Sequence, residues 1–483
     1  MNFFVDAAMG MGNSGVEHAE FYRAQRFDQV DIPYRFVFLD LIRDLHPAMD
    51  RWHLRDDQVI NLWEYFVLGE DYLKHGLEKR ITPTKIDNLV IDRTNTHRKR
   101  EYTTDSGMLV VEHYVKYPDK HHPKNKMLMV STGRIELFNL ASGKRRVMYE
   151  IIDDDNRGRI ISNIHLYDQK GKHLFFRNAM LLYRYFFAQL DAAYGAPSRF
   201  FIDRGENTDQ ALMTQRLAGS KLIYMVHADH LSDRDDPKNP LWNNHYEFLF
   251  DHLEEFDRVV VATELQRQDM LVDFPKEGDR FVTIPVGGVS DKPATITPRA
   301  LKEPIRLMTA SRLAPEKHVD LIVRAVAALH KQGHDIHFDI YGQGAEDKKI
   351  KKAIEETKAQ DYVVLKGLSD DLADIYPQYD AFISASFSEG FGLTYIEALN
   401  AGLPIITFKA RFGALELVHD GKNGFLQDFK RQDDTFDIDQ LIQGIERFMK
   451  ADYAQLQENT QTSVKSFQNH VIAAKWRKLI DAL

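Results

Sequence analysis

The sequence predicts an α/β chain of two doubly wound units facing a cleft, with an antiparallel β-meander inserted in the first. Three observations carry this. The chain opens as strand, glycine turn, helix, strand. From about residue 81 to 185 it becomes short alternating segments separated by turn residues. Strand and helix alternation resumes near Phe200 and starts afresh at Ile305.

Residues 3–7 form a short apolar strand, followed by Gly10, Gly12 and Gly15, an amphipathic helix over 16–27, and a second strand over 36–39. The meander strands are 108–115, 127–130, 134–138, 146–151 and 160–166. Their turns are Ser142-Gly143, the stretch 154–158, and Gln169-Lys170-Gly171. Strands 200–203, 222–227, 258–262 and 281–285 return to the first unit, and 287–304, with several prolines and little apolar periodicity, reads as a linker. The second unit has strands 306–309, 337–341, 363–366, 381–384 and 404–407, with helices such as 319–331 and 348–357 between them. The tail, 437–483, is helical by pattern. The expected domains are 1–80 with 186–290, then 81–185, then 291–464, with 465–483 packing back on the first.

A length of 483 residues suits two or three domains, and 43% hydrophobic with 28% charged residues is ordinary for a globular protein. A net charge of −9 argues against general nucleic-acid binding, although 97–100 and 116–126 are locally basic. With no cysteine, disulfides, thiolate metal sites and cysteine nucleophiles are excluded. The first 22 residues hold no Lys or Arg and carry Asp6 in their apolar run, a poor signal peptide. The richest apolar stretch, 180–190, is broken by Arg184 and too short to span a bilayer.

The strongest chemical signal is Ser311-Arg-Leu-Ala-Pro-Glu-Lys317, directly after a strand. Arg312 and Lys317 would lie at the carboxyl edge of a parallel sheet, where ligands bind. Two cations beside a helix N-terminus suit a diphosphate. Alone, the pair reads better as solvated surface charge. A second segment, Ser388-Glu-Gly-Phe-Gly-Leu-Thr-Tyr-Ile-Glu397, also follows a strand. Gly390 and Gly392 permit close backbone approach to a ligand. Glu389 precedes the expected helix, and Glu397 is expected about two turns into it, on roughly the same face. Carboxylates suit hydroxyl-rich ligands; the competing accounts are a helix N-terminal acid and an exposed helix residue.

Gly10-x-Gly12-x-x-Gly15 is formally a dinucleotide fingerprint, with Asp40 ending the next strand where a ribose-binding acid would stand, so an NAD-dependent enzyme is a rival reading. His227 ends a strand, and a lone strand-end histidine is more often structural; His230 is a weaker candidate. Asp153 to Asp155 precede Asn156 and Gly158 and read as a hairpin turn, and Asp233, Asp235 and Asp236 lie in a polar loop before Pro237.

The Arg-x4-Lys pair followed by Glu-x7-Glu resembles the retaining glycosyltransferases of family four, which have the GT-B fold. The resemblance implies that Arg312 and Lys317 hold a nucleotide diphosphate. Glu389 would lie by the donor sugar, with the backbone of Phe391, Gly392, Leu393 and Thr394. Glu397 would bind the ribose, and the loops at Gly342 and at Gly367 and Leu368 would lie near the base. His227 matches a family histidine that contacts the donor sugar. Ser14-Gly15-Val16-Glu17 looks like the family's Gly-Gly-x-Glu-type loop, which places Gly12, Ser14 and Gly15 beside the donor from across the cleft. The implied catalytic set is His227, Glu389, Arg312 and Lys317. Such enzymes neutralise the leaving diphosphate with cations and helix ends, so neither metal nor cofactor is expected.

Residues 10–25, the inserted meander and the C-terminal motifs together are similar to bacterial accessory-secretion-system glycosyltransferases of serine-rich repeat adhesins, and to teichoic acid glycosyltransferases. This implies retaining, metal-independent transfer of glucose or N-acetylglucosamine from a UDP-sugar to a serine-rich repeat glycoprotein. The alternative is a poly(glycerol-phosphate) α-glucosyltransferase. It further implies a cytoplasmic homo-oligomer, dimer or tetramer, built through 81–185, with at most peripheral contact at the inner face of the membrane. An exposed meander edge is suited to pairing with another chain. An NAD-dependent enzyme and a non-catalytic partner subunit stay open, and the charged donor motifs count against the latter.

Overall fold

The computed structural model describes residues 1–12, 15–90, 98–119, 124, 128–154, 158–205, 207–233, 240–292, 296–369 and 371–483. Two units are distinguished: Met1–Glu17, Pro33–Met225 and His252–Asp257, and His18–Ile32, Val226–Asp251 and Arg258–Leu483.

The first unit opens with parallel strands β1 (Asn2–Asp6), β2 (Tyr34–Phe38) and β3 (Val59–Asn61). An antiparallel sheet follows, each strand beside the next: β4 (Lys85–Val90), β5 (Arg98–Thr103), β6 (Met108–Pro118), β7 (Leu128–Asn139), β8 (Lys144–Asp154), β9 (Gly158–Gln169) and β10 (Lys172–Asn178). Strands β11 (Arg199–Ile202) and β12 (Lys221–Val226) then extend the parallel sheet, in the order β12-β11-β1-β2-β3.

Alternation explains the meander's packing. Val110, Leu137, Val147 and Leu166 are paired in one row across four strands, and all are fully buried. Trp63, on the helix Leu62–Leu68, stacks on Tyr149 at 4.6 Å and closes this layer. The expected strands 127–130 and 134–138 are one strand, β7, with Met127 outside the described residues. Gly133 sits at a register shift inside β7, between Thr132 opposite Tyr114 and Arg134 opposite His113, and a Cβ there would press on Val115 at 2.7 Å. Strand β5 was not expected because Arg98-Lys99-Arg100-Glu101 hides its alternation. Of the two basic stretches, His97, 120–123 and 125–126 also lie outside the described residues.

In the second unit β13 (Leu231–Asp233) and β14 (Leu241–Trp242) form a small ribbon, and β15 (Arg258–Val261) and β16 (Phe281–Thr283) a parallel pair. Six parallel strands follow: β17 (Ile305–Ala310), β18 (Ile336–Tyr341), β19 (Val363–Gly367), β20 (Ala381–Ser384), β21 (Ile405–Phe408) and β22 (Gly424–Gln427), ordered β19-β18-β17-β20-β21-β22. Their apolar runs are buried on both faces, as helix-covered parallel sheets require. Ile305 and Leu307 pack with the helix Val319–Lys331, whereas Met308 and Ala310 face the cluster around Tyr395 and Ile396. The stretch expected as a linker is tied down at Val289, whose N–H and carbonyl bond Phe467 and Asn469. Three tail helices follow, Asp434–Lys450, Tyr453–Ser463 and Asn469–Asp481. In the last, Trp476 packs edge-on against Phe27 at 5.6 Å. Among the described residues no helix is long and apolar enough to cross a membrane.

Candidate active site

The carboxyl ends of β17, β18, β19 and β20 carry the residues the motifs single out. After β17 the chain makes a single 3-10 turn, Pro315–Lys317, before the helix Val319–Lys331. That turn places Lys317 where its Nζ donates to Glu389 Oε2 at 2.7 Å, with Ser386 Oγ at 3.4 Å. Both side chains of the pair are less than one-fifth exposed, at 18% and 17%. Arg312 is directed elsewhere: it is 68% exposed and pairs with Glu316 at 3.0 Å, four residues along.

The segment after β20 is fixed mainly by main-chain bonds. Glu389 N–H donates to Arg411 O at 2.8 Å, and Phe412 and Gly413 N–H groups donate to Glu389 O at 2.6 and 2.7 Å. Gly390 lies against the main chain of His227, where a Cβ would sit 2.6 Å from the His227 carbonyl oxygen. The close approach expected at Gly390 is thus to the protein's own backbone. Gly392 has φ +91 and caps the helix Leu393–Asn400. This late start makes Glu397 the fifth helical residue, little more than one turn in, not two.

Glu397 accepts from the Tyr376 hydroxyl at 2.9 Å. Solvent reaches the residue, yet surrounding protein raises its carboxyl pKa, opposed by the Tyr376 bond. Phe391 is buried and packs near Phe467 at 6.0 Å, and Leu393 packs on Gly287. Their side chains belong to the core, so the 391–394 segment can offer a ligand its backbone, with Thr394 in the first turn of the helix. Gly342 N–H donates to Gly367 O at 2.8 Å, so the two expected base-side loops adjoin, and Leu368 beside them is 60% exposed.

His227 follows β12, and its N–H and that of Ala228 both donate to the Tyr246 hydroxyl at 3.0 Å. His230 is wholly buried among Phe250, Trp242 and Phe412 rings. Asp229, between them, has its pKa raised by burial, against the Leu231 N–H bond and the Arg411 charge.

In the first unit, Gly10 accepts from Trp52 Nε1 at 2.9 Å, and Gly15 begins the helix Gly15–Gln29. A Cβ at Gly12 or Gly15 would meet no described atom within 4 Å. Ser14 lies outside the described residues. Asp6, at the end of β1, is fully buried and its pKa is pushed up to about 7 by that burial. Asp153 accepts from Tyr117 and Ser131 at 3.0 and 2.9 Å, and Asp154 pairs with Gly158 across the hairpin. Asp155, Asn156, Asp235, Asp236 and Pro237 are outside the described residues. Among the described residues no group of three or more His, Asp or Glu is arranged to hold a metal ion.

Ser386, Tyr376 and Arg411 were not anticipated. Ser386 had a sequence cue, a serine two residues past β20 in Ser384-Ala-Ser386. Tyr376 and Arg411 had none, because their roles arise only from tertiary contact.

The family described as glycosyl transferases group 1 matches residues 294–463. The chain is 29% identical to the UDP-N-acetylglucosamine–peptide N-acetylglucosaminyltransferase GtfA subunit of Streptococcus gordonii, covering 99% of this chain and 97% of that protein. It is 22% identical to the poly(ribitol-phosphate) alpha-N-acetylglucosaminyltransferase of Staphylococcus aureus, covering 99% of each. Among solved structures, it is similar to the pneumococcal O-GlcNAc transferase GtfA in complex with UDP and GlcNAc, with TM-score 0.70, 25% identity, and coverage of 100% of this chain and 98% of that one. The fold is the GT-B glycosyltransferase fold expected from the sequence.

Proposed function

We propose that this chain is a glycosyltransferase that moves N-acetylglucosamine or glucose from a UDP-sugar to a serine-rich repeat glycoprotein, with retention at the anomeric carbon. The Lys317–Glu389 pair carries the reading, because it joins the expected diphosphate cation to the expected sugar carboxylate in one contact. Similarity over nearly full length to the GtfA subunit supports the donor and acceptor classes.

On this reading Arg312 and Lys317 meet the diphosphate. Arg312 is held by one exposed carboxylate and can swing to a phosphate at little cost. Lys317 stays fixed and stabilises charge growing on the leaving diphosphate, a preorganised electrostatic role. Glu397 takes the ribose hydroxyls, with Tyr376 holding its other side. The N-terminal backbone of the helix Leu393–Asn400 and the Glu389 carboxylate take the sugar. Glu389 is ion-paired, which suits a hydroxyl acceptor better than a covalent nucleophile. The acceptor attacks from the leaving-group face, and a leaving phosphate oxygen takes its proton. Charge neutralisation by Arg312, Lys317 and the helix end makes the reaction metal-independent.

The reading includes cytoplasmic assembly of like chains through the meander, whose far end exposes Val115, Leu128, Met129, Val130 and Ile152. A second reading, transfer to a teichoic acid, is favoured by the similarity to the poly(ribitol-phosphate) enzyme. Mass spectrometry of a glycosylated serine-rich peptide and a teichoic acid fragment, incubated side by side with UDP-sugars, tests both. A hexose or N-acetylhexosamine increment on the peptide supports the first, an increment on the polymer alone the second, and none on either removes the proposal.

A further inference from the structure

Arg411 lies outside every motif that marks the donor site, yet it touches two of the site's loops. Its carbonyl receives the Glu389 N–H, and the next two N–H groups return to the Glu389 carbonyl. The main chain of 411–413 is therefore the template on which Glu389 is laid. Its side chain runs the other way. Nη2 is 2.7 Å from Asp269 Oδ2 and 3.7 Å from Asp229 Oδ1, and the guanidinium lies 4.5 Å from the centre of the Phe412 ring.

Those two carboxylates belong to the His227 side. Asp229 is two residues past His227. Asp269 is on the helix Glu264–Asp273, whose Gln266 Nε2 donates to Ala228 O at 2.8 Å. The buried His230 ring stacks on Phe412 at 5.6 Å and 19°, with Nε2 3.4 Å from the same Asp269 Oδ2. Gly390 then rests on the His227 carbonyl, leaving no room for a Cβ between them.

We infer that Arg411 is a positioning residue that locks the Glu389–Gly390 loop onto the His227–His230 loop and so fixes the sugar end of the donor site. Without its charge, Asp229 and Asp269 lose the cation that lies between them and the Glu389 loop, and the two loops separate. Lys317 and Arg312 do not touch this cluster, so nucleotide affinity is expected to survive its loss. The inference rests on the glycosyltransferase reading.

The test is steady-state kinetics of UDP-sugar turnover together with UDP calorimetry on the full chain, for wild type, Arg411→Met, Arg411→Lys, Asp269→Asn and the double variant Arg411→Met/Asp269→Asn. The expected result for Arg411→Met is a kcat about 100-fold lower, with donor KM and UDP Kd within about threefold. Arg411→Lys should recover about tenfold of the loss, and the double variant should be no worse than Arg411→Met, since both remove one contact. Overturning results are kcat within about threefold of wild type, an equal loss of UDP affinity and kcat, no rescue by lysine, or additive losses. If Arg411→Met does not fold, Asp269→Asn decides: a kcat loss at unchanged KM supports the inference, and unchanged kcat overturns it. A wild type silent on every UDP-sugar overturns the function and the inference together; active wild type with equally active Arg411→Met overturns the inference alone.

Discussion

Replacing Lys317 with methionine should separate binding from chemistry. Lys317 Nζ and Glu389 Oε2 stand 2.7 Å apart and are mostly shielded from solvent. At an effective dielectric of about 20, two unit charges at that distance attract by ~6 kcal/mol before desolvation is counted. The net worth of such a charged hydrogen bond is nearer 1.5–3 kcal/mol, a rough central range. Because Lys317 already has an anionic partner, a bound diphosphate shares the lysine's charge with Glu389 and gains less than it would from an unpaired cation. The UDP Kd of Lys317→Met should therefore weaken by no more than about tenfold, roughly 1.4 kcal/mol. The transition state differs, because charge accumulates on the leaving diphosphate within reach of a fixed cation. Loss of one such preorganised donor costs about 2.7–4 kcal/mol, so kcat should fall roughly 100- to 1,000-fold. Calorimetry with UDP and initial-rate turnover of the UDP-sugar measure the two effects. A kcat within about fivefold of wild type, or a loss entirely in Kd, would refute the reasoning.

Three further outcomes follow from the geometry. Gly390→Ala places a Cβ at 2.6 Å from the His227 carbonyl, so it should cost about 1–3 kcal/mol in urea unfolding and abolish most turnover; an unchanged midpoint with full activity would show that the loops move apart freely. Glu397→Gln should raise donor KM about tenfold with kcat nearly unchanged, since its role is in binding; a kcat loss larger than the KM change would contradict the ribose assignment. His46, buried with Asp56 at 3.1 Å and Glu64 at 3.0 Å, gives a pH prediction. Burial lowers its pKa, but the Glu64 bond and the Glu64 and Asp56 charges outweigh this and raise it above 6.5 on balance. A raised histidine pKa stabilises the fold fully below 6.5, and that contribution is lost as pH rises through the folded value. Unfolding free energy should thus decline as pH rises above 6.5, and His46→Gln should flatten the decline; identical slopes would exclude His46 as its source.

Of the proposed donor site, the Lys317–Glu389 contact was legible because its two residues lie in short segments that each follow a strand. Arg312, Lys317, Glu389 and Glu397 needed only local spacing and a strand end. What stayed hidden depends on contacts between distant residues. Tyr376 meets Glu397 from 21 positions away, and Arg411 meets Asp269 across 142. Glu397 was placed too deep in its helix because the cap at Gly392, with φ +91, delays helix onset to Leu393. In the meander, alternating apolar residues revealed β6, β8 and β9, where buried rows form. Strand β5 was masked by its Arg and Lys side chains, and β7 was split because Gly133 looks locally like a break, whereas it is a register shift within one continuous strand.

On the proposed function, one UDP-sugar site is built on Lys317, Glu389 and Glu397. A crystal structure with bound UDP-sugar tests it most directly. The diphosphate is expected on Lys317 and Arg312, the ribose on Glu397, and the sugar against Glu389 and the 391–394 backbone. A nucleotide bound with its diphosphate away from Lys317 and its ribose away from Glu397, as over the Gly10–Gly15 turn, would contradict it.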